Sequence, residues 1–137
     1  MFSRRSNESQ DAKKTILVVD DARATRRLFR RALEECGVEV LEAEDGLIAL
    51  DVVRSGSHID LAMVDWHMPN MNGLEFVQEL RKNKAYDGIK VVMVTAESDM
   101  KNATQAIAAG ATDYLIKPFS KKLLLQKLNT MGLDLES

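Results

Sequence analysis

The sequence predicts an α/β fold in which five parallel strands form one doubly wound sheet with helices on both faces. Five short apolar runs, at residues 16–19, 38–43, 59–64, 89–94 and 112–116, alternate with stretches long enough for helices. Strands separated by helices in this way are typical of βαβ units, which join parallel strands. The predicted helices start near Ala22, Gly46, Gly73, Asp99 and Ser120.

The composition of the five runs predicts the order of the strands. The first, third and fourth runs are almost continuously apolar, as expected for strands that helices cover on both faces. The second run contains Glu39 and Glu42, and the fifth contains Asp113 and Tyr114, so we expect these two at the edges of the sheet. The order 2-1-3-4-5, the flavodoxin-like (βα)5 arrangement, satisfies both expectations and reverses its winding between strands 1 and 3.

Length and charge indicate one domain in the cytoplasm. The 137 residues correspond to one domain, with 1–13 predicted as a disordered polar tail and 14–137 as the folded unit. A net charge of −2 argues against nucleic-acid binding. No apolar run approaches the roughly 20 residues that span a bilayer, and the N-terminus lacks a signal-peptide pattern. One cysteine, Cys36, excludes an internal disulfide and is predicted in the core. We expect a monomer that does not insert into membranes.

The first and fifth predicted helices have distinctive faces. The first carries a predicted buried stripe of Leu28, Phe29, Ala32, Leu33 and Cys36. Its other side is predicted to be a solvated face, able to steer an acidic partner, of Arg23, Arg26, Arg27, Arg30 and Arg31. The fifth carries a wide apolar stripe of Leu123, Leu124, Leu125, Leu128 and Met131. That stripe is either part of an exposed interaction surface or the inner face of a deeply packed helix.

Charged and polar residues follow the predicted central strands at the ends where such sheets bind ligands. Asp20 and Asp21 follow the first strand, and Asp65, Thr95 and Lys117 end the third, fourth and fifth. Three carboxylates at one edge repel one another unless a cation joins them. Oxygen ligands without a nearby cysteine or histidine cluster favour Mg²⁺.

A lysine beside an open Mg²⁺ site suits a phosphoryl group. Asp65 is the carboxylate best placed to act as the nucleophile and form an aspartyl phosphate. Asp20 and Asp21 would then hold the metal, while Thr95 and Lys117 would each contact a phosphoryl oxygen.

Four segments, VVDD at 18–21, DWHMPNMNG at 65–73, MVTAE at 93–97 and YLIKPF at 114–119, resemble the receiver domains of bacterial two-component response regulators. The resemblance runs from about residue 15 to 131 and is strongest to single-domain members that act in chemotaxis. It implies a phosphoprotein that accepts a phosphoryl group on Asp65 from a sensor histidine kinase or a histidine phosphotransfer domain. It also implies that the chain catalyses only its own phosphorylation and dephosphorylation.

The resemblance implies roles for further residues. Mg²⁺ would be bound by Asp21, Asp65 and the backbone carbonyl of His67, with Asp20 acting through water. Thr95 and Tyr114 would form the switch, and a downstream protein would bind the face of helix 4, strand 5 and helix 5. The His67 side chain replaces an asparagine of the chemotaxis regulators. It either tunes the lifetime of the acyl phosphate or has no role.

Three other classes fit less well. A phosphatase of the haloacid dehalogenase type needs a second aspartate two residues after the nucleophile, where this chain has His67. A flavodoxin-type electron carrier has a Ser-, Thr- and Gly-rich phosphate loop where this chain has DDAR. A degenerate receiver that only binds partners is disfavoured because all five site residues are present. Chemotaxis, a phosphorelay step and a phosphate sink all remain open as outputs.

Overall fold

Strands and helices alternate along residues 13–135, the part of the chain that the computed structural model describes. The elements are β1 (Thr15–Val19), α1 (Arg23–Glu34), β2 (Glu39–Ala43), α2 (Gly46–Arg54), β3 (Leu61–Asp65), α3 (Gly73–Arg81), β4 (Lys90–Ala96), α4 (Met100–Ala109), β5 (Asp113–Lys117) and α5 (Lys121–Thr130). Short 3-10 helices lie at Lys84–Tyr86 and Glu97–Asp99. Except for Lys13, the predicted tail at 1–13 lies outside the described residues and stays a prediction.

The strands form a parallel sheet in the order β2-β1-β3-β4-β5, which confirms the predicted fold class and strand order. All of β1 is buried, and only the last residue of β3 is partly exposed. The edge strand β2 alternates buried residues with Glu39 and Glu42, which keep access to water. Charge at these positions marks an edge because a central strand has no solvated side on which to place it.

Helices cover both faces of the sheet and make two cores. On one face, α2, α3 and α4 pack against alternate strand residues such as Leu17 and Val64. On the other face, α1 and α5 pack against the intervening strand residues, including Ile16 and Met63. The alternation follows from the strand period of two, which points successive side chains to opposite faces. Central strands therefore have apolar residues at most positions.

Local capping explains where several helices begin and end. The side chain of Asp45 accepts a hydrogen bond from the Ile48 N–H at the start of α2, and Ser120 does the same at the start of α5. At α3, Asn72 and Glu75 form a reciprocal capping box. These caps satisfy backbone donors that have no partner within the helix.

The α1 helix is rotated from the predicted orientation. The prediction that Leu28 is buried is wrong, since this side chain is 66 % exposed, whereas Leu33 is fully buried. The prediction that all five arginines form a solvated face is also wrong. Arg26 and Arg30 turn toward β2 and make ion pairs with Glu42. Pairing across to a neighbouring strand thus fixes which side of α1 meets the sheet.

Two other apolar residues of α1 behave differently from the predicted core. Cys36, predicted in the core, lies just beyond the helix and is only partly buried. Phe29 stacks in parallel on Phe119, with ring centroids 5.8 Å apart. This contact joins α1 to the connection between β5 and α5.

The apolar stripe of the fifth helix is mostly an inner face. Leu124, Leu125 and Leu128 are buried, as is Met131 just after the helix, while Leu123 is 43 % exposed. The deeply packed alternative therefore describes α5 except at Leu123. Within residues 13–135, no helix has the length and hydropathy needed to cross a membrane.

Candidate functional site

The strand register brings the predicted site residues to the same edge of the sheet. Val19, which precedes Asp20, pairs with Val64, which precedes Asp65. Across the next interface Asp65 pairs with Val94. Parallel strands in this register end side by side, so residues distant in sequence become neighbours.

Three carboxylates meet at this edge. Asp20, Asp21 and Asp65 each present an oxygen, and these oxygens lie within 4.8 Å of one another. Asp20 is buried, Asp65 is partly buried and Asp21 is exposed. An all-oxygen donor set that is open to solvent on one side fits Mg²⁺, which binds one or two carboxylates and keeps several waters. The residues present are therefore suited to hold a divalent cation.

The carboxylates of the cluster repel one another. Burial raises the pKa of Asp20 above its ordinary value, and the carboxylates of Asp65 and Asp21 act in the same direction. A hydrogen bond from the Ala22 N–H and the charge of Lys117 oppose this effect without cancelling it. A second positive charge at the cluster would relieve the repulsion.

Lys117 and Thr95 complete the predicted set. The Lys117 ammonium lies 3.1 Å from a carboxylate oxygen of Asp65. Thr95 is buried and precedes Ala96, which pairs with Lys117 in the sheet. The edge thus combines three carboxylates, an ammonium and a hydroxyl.

The loop between β3 and α3 is held in place by contacts that the sequence analysis did not assign. Asn70 adopts a left-handed backbone conformation, with φ of 67°, and its side-chain amide donates to the buried carboxylate of Asp45. Gly73 approaches β3 so closely that a Cβ would lie 2.6 Å from the carbonyl oxygen of Asp65. The sequence signal is the glycine directly after the Asn72 cap, a position where close packing excludes a side chain.

The two residues after Asp65 differ in burial, since Trp66 is buried and His67 is exposed. The Trp66 ring is buried in the core. The His67 imidazole is 70 % exposed, and its Nε2 lies 3.2 Å from a carboxylate oxygen of Asp99, before α4. The predicted metal-binding role of the His67 carbonyl and the predicted effect of its ring on phosphoryl lifetime stay predictions.

Tyr114 lies at the edge of the sheet beside α4. It is partly buried, and the Lys127 ammonium sits 5.5 Å from the centre of its ring. A shallow groove of about 370 Å³ runs along it, lined by Met100, Ala103, Thr104, Ile107, Ala108 and Tyr114.

Arg26 is a neighbour of the site that the sequence analysis placed on the solvated side of α1. Its side chain is only 13 % exposed and donates to the backbone carbonyl of Asp20. The sequence feature that points to this role of Arg26 is Glu42, a glutamate inside β2. A charge on a strand that a helix covers needs a partner of opposite charge.

Comparison with known proteins relates this chain to one protein family. The family model of the response regulator receiver domain matches residues 16–129. A protein of Campylobacter jejuni, "Chemotaxis protein CheY homolog", is 39 % identical over 114 residues, which cover 82 % of this chain and 88 % of the relative. "Chemotaxis protein CheY1" of Helicobacter pylori is 35 % identical over 117 residues, or 85 % of this chain and 94 % of the relative.

Solved structures agree with the sequence relatives. The structure of the chemotaxis response regulator CheY4 of Vibrio cholerae superposes with a TM-score of 0.81 at 33 % identity, covering 87 % of this chain and 98 % of that one. Apart from Thr15 at the start of β1, the family match spans all five strands, and it includes the site at their carboxyl ends. The chain belongs to the response regulator receiver domain family of two-component signalling proteins.

Proposed function

We propose that Asp65 accepts a phosphoryl group from the phosphohistidine of a sensor histidine kinase or a histidine phosphotransfer domain. The observation that carries the proposal is the contact of 3.1 Å between the Lys117 ammonium and Asp65, beside two further carboxylates. A nucleophilic carboxylate next to both a fixed ammonium and a cation-binding cluster is suited to phosphoryl transfer.

Each group has a defined task in the transfer. An Asp65 oxygen attacks phosphorus, the bond to the donor histidine nitrogen breaks, and an aspartyl phosphate forms. Lys117 then exchanges its contact with the carboxylate for one with a phosphoryl oxygen, and the Thr95 hydroxyl donates to another. Mg²⁺ held by Asp21, Asp65 and the His67 carbonyl, with Asp20 acting through water, would supply positive charge to the phosphoryl oxygens.

The aspartyl phosphate would act as a signal through Thr95 and Tyr114. A phosphate adds close to two negative charges at the strand ends, which attracts the Thr95 hydroxyl. Movement of Thr95 would open space into which the Tyr114 ring can turn. The surface of α4, β5 and α5 would then change along the groove beside Tyr114, which the exposed Ile107 lines. Leu123 is a further exposed apolar residue of this surface, on α5. A downstream protein would bind there.

The phosphodonor would approach along α1. Arg23, Arg27 and Arg31, spaced by one turn, are exposed with Leu28 and line a shallow groove on α1, the helix that begins two residues after Asp21. An acidic partner helix with an apolar residue would complement this surface. Because sensor kinases phosphorylate in the cytoplasm, the chain would act there. The names of the relatives favour a chemotaxis-like output for this chain.

Beryllofluoride, which mimics an acyl phosphate, tests the acceptor. With Mg²⁺ and beryllofluoride, the fluorescence of Trp66, the residue after Asp65, should change in the wild type and in Asp51→Asn. Asp51 is an exposed carboxylate on α2, so this variant controls for the loss of one charge. Asp65→Asn should lose the response. An undiminished response in Asp65→Asn would remove Asp65 from the acceptor role.

The donor is identified by phosphotransfer. Each autophosphorylated histidine kinase of the host, carrying radiolabelled phosphate, is mixed with the purified chain and Mg²⁺. The cognate kinase should transfer label within seconds to the wild type and to Asp51→Asn but not to Asp65→Asn. A chain that takes no label from any of them, and gives no beryllofluoride response, would be a binding module instead.

A further inference from the structure

Arg26 links α1 to the main chain that carries the acidic cluster. Its Nη1 donates to the carbonyl oxygen of Asp20 at 2.6 Å, and its Nε donates to a carboxylate oxygen of Glu42 at 2.9 Å. Arg27, the next residue, and Arg23, on the preceding turn, are exposed. Among these three arginines of α1, only Arg26 is directed at the site.

The orientation of the Arg26 guanidinium is fixed by the carboxylate of Glu42, which a second arginine also contacts. The second oxygen of Glu42 accepts from Arg30 Nε at 2.6 Å, and Arg30 also pairs with Glu34 one turn further along α1. Each Glu42 oxygen is thus held by a different arginine. Charge-assisted contacts of this kind are short and directional, so the guanidinium has little freedom to turn away.

Asp20 is held at three points, two on its backbone and one on its side chain. Its carbonyl accepts from Arg26, its N–H donates to the Ala43 carbonyl at 3.1 Å, and its side chain accepts from the Ala22 N–H at 2.8 Å. The Asp20 carbonyl belongs to the peptide that joins Asp20 to Asp21. Its plane fixes the position of the Asp21 Cα and, together with φ at Asp21, sets the direction in which the Asp21 side chain leaves the backbone.

We propose that Arg26 is a positioning residue for a divalent cation, because it fixes the Asp20–Asp21 peptide and so aims both carboxylates at the cluster with Asp65. This inference rests on the proposed function, in which the cluster binds Mg²⁺. Groups that orient ligands without touching the metal commonly change metal affinity by about 10- to 100-fold when they are removed.

A positioning role and simple Coulomb repulsion predict opposite changes in Mg²⁺ affinity when Arg26 is removed. Arg26 is a cation near a cation-binding cluster, so by Coulomb repulsion alone its removal should tighten Mg²⁺ binding. If the guanidinium fixes the peptide, its removal should weaken binding because the carboxylates no longer converge. The sign of the change in Kd therefore separates the two.

The test compares Arg26→Gln with Arg27→Gln in the full chain. Both variants remove one positive charge from α1, but only Arg26 contacts Asp20. Mg²⁺ alone is titrated at constant ionic strength, with Trp66 fluorescence and calorimetry as readouts. We expect Arg26→Gln to weaken binding by about 10-fold, while Arg27→Gln leaves it unchanged or slightly tighter. Equal affinities, or tighter binding by Arg26→Gln, would overturn the positioning role.

A measurement of folding and one further variant show whether a change in Kd comes from positioning or from unfolding. Thermal unfolding by circular dichroism establishes that Arg26→Gln is folded at the titration temperature, since a loss of stability alone does not change the Kd of the folded protein. If it is not folded, Arg26→Lys replaces it. This variant keeps the charge but lacks the fork that reaches both Asp20 and Glu42, so wild-type affinity there would overturn the proposal and weaker binding would support it.

Asp21→Ala separates this inference from the proposed function. If Asp21→Ala binds Mg²⁺ as well as the wild type, the cluster is not the cation site, and both proposals fail. If Asp21→Ala loses binding while Arg26→Gln and Arg27→Gln behave alike, only the positioning role of Arg26 is overturned.

Discussion

At Asp20, the fold holds a carboxylate where burial and like charges make ionisation unfavourable. Burial, followed by the charges of Asp65 and Asp21, raises the pKa of this group above its ordinary value. A raised pKa means that the folded state binds the proton more tightly than the unfolded state does. Above that pKa the ionised group destabilises the fold, and below the ordinary value of 3.8 this penalty is absent.

We therefore expect Asp20→Asn to stabilise the protein in the absence of metal. Asparagine removes the charge and still offers an oxygen to the Ala22 N–H. In chelator at neutral pH, the midpoint of thermal unfolding should rise by a few degrees. The gain should shrink as the pH falls toward 3.8, where the wild-type carboxyl becomes neutral as well.

Saturating Mg²⁺ provides the control for this prediction. The cation compensates the repulsion in the wild type, so the advantage of Asp20→Asn should disappear or reverse when Mg²⁺ is present. An Asp20→Asn variant that is less stable than the wild type in chelator would contradict the charge-repulsion argument.

At the scale of elements, α1 contributes both to the core and to the site. Its buried Leu33 packs among residues of β1, β3 and α5. Two of its arginines, Arg26 and Arg30, pair with Glu42 of β2, whereas Arg23, Arg27 and Arg31 are exposed. The exposed Leu28 lies among these three exposed arginines. One helix thus anchors the sheet, holds the Asp20 backbone and presents a charged surface.

Truncation of the two leucines tests this orientation. Leu33→Ala should lower the free energy of unfolding by about 2–5 kcal/mol, because it leaves a cavity in a filled core. Leu28→Ala should change it by less than about 0.5 kcal/mol, as expected for an exposed side chain. Urea denaturation followed by circular dichroism measures both. Similar losses in the two variants would indicate that α1 is rotated toward the predicted stripe.

At the scale of the whole molecule, cation binding at the proposed site would be coupled to folding. Its three carboxylates come from two strands that only the folded sheet brings together, so the unfolded chain has no comparable site. A ligand that binds only the folded state stabilises it in proportion to the logarithm of its concentration over Kd.

Mg²⁺ at about 100 times its Kd should therefore raise the free energy of unfolding by about 2.7 kcal/mol. Asp21→Ala should abolish most of this gain, while the exposed control Asp51→Asn should retain it. The measurement is urea denaturation with and without Mg²⁺ at equal ionic strength. If Asp21→Ala gains as much stability as the wild type, Mg²⁺ binds elsewhere on the chain.

Much of the architecture follows from local pattern. Runs of apolar residues identified the strands, and the charges of Glu39 and Glu42 identified an edge. The strand order that these patterns predict places Asp20, Asp65 and Lys117 at one end of the sheet. These inferences succeed because burial on one or both faces constrains composition along each strand, and because parallel strands end together. The chemical roles of the three residues stay predictions.

The tertiary structure decided the contacts that depend on how elements face one another. The arginines of α1 look alike in sequence, and only the position of Glu42 on the neighbouring strand separates Arg26 from Arg27. The contact of His67 with Asp99 likewise joins the loop after β3 to the 3-10 helix before α4, which lies far away in the chain. Helical periodicity gives a stripe but not its rotation toward the sheet. That rotation is set by long-range pairing and packing, which no local pattern records.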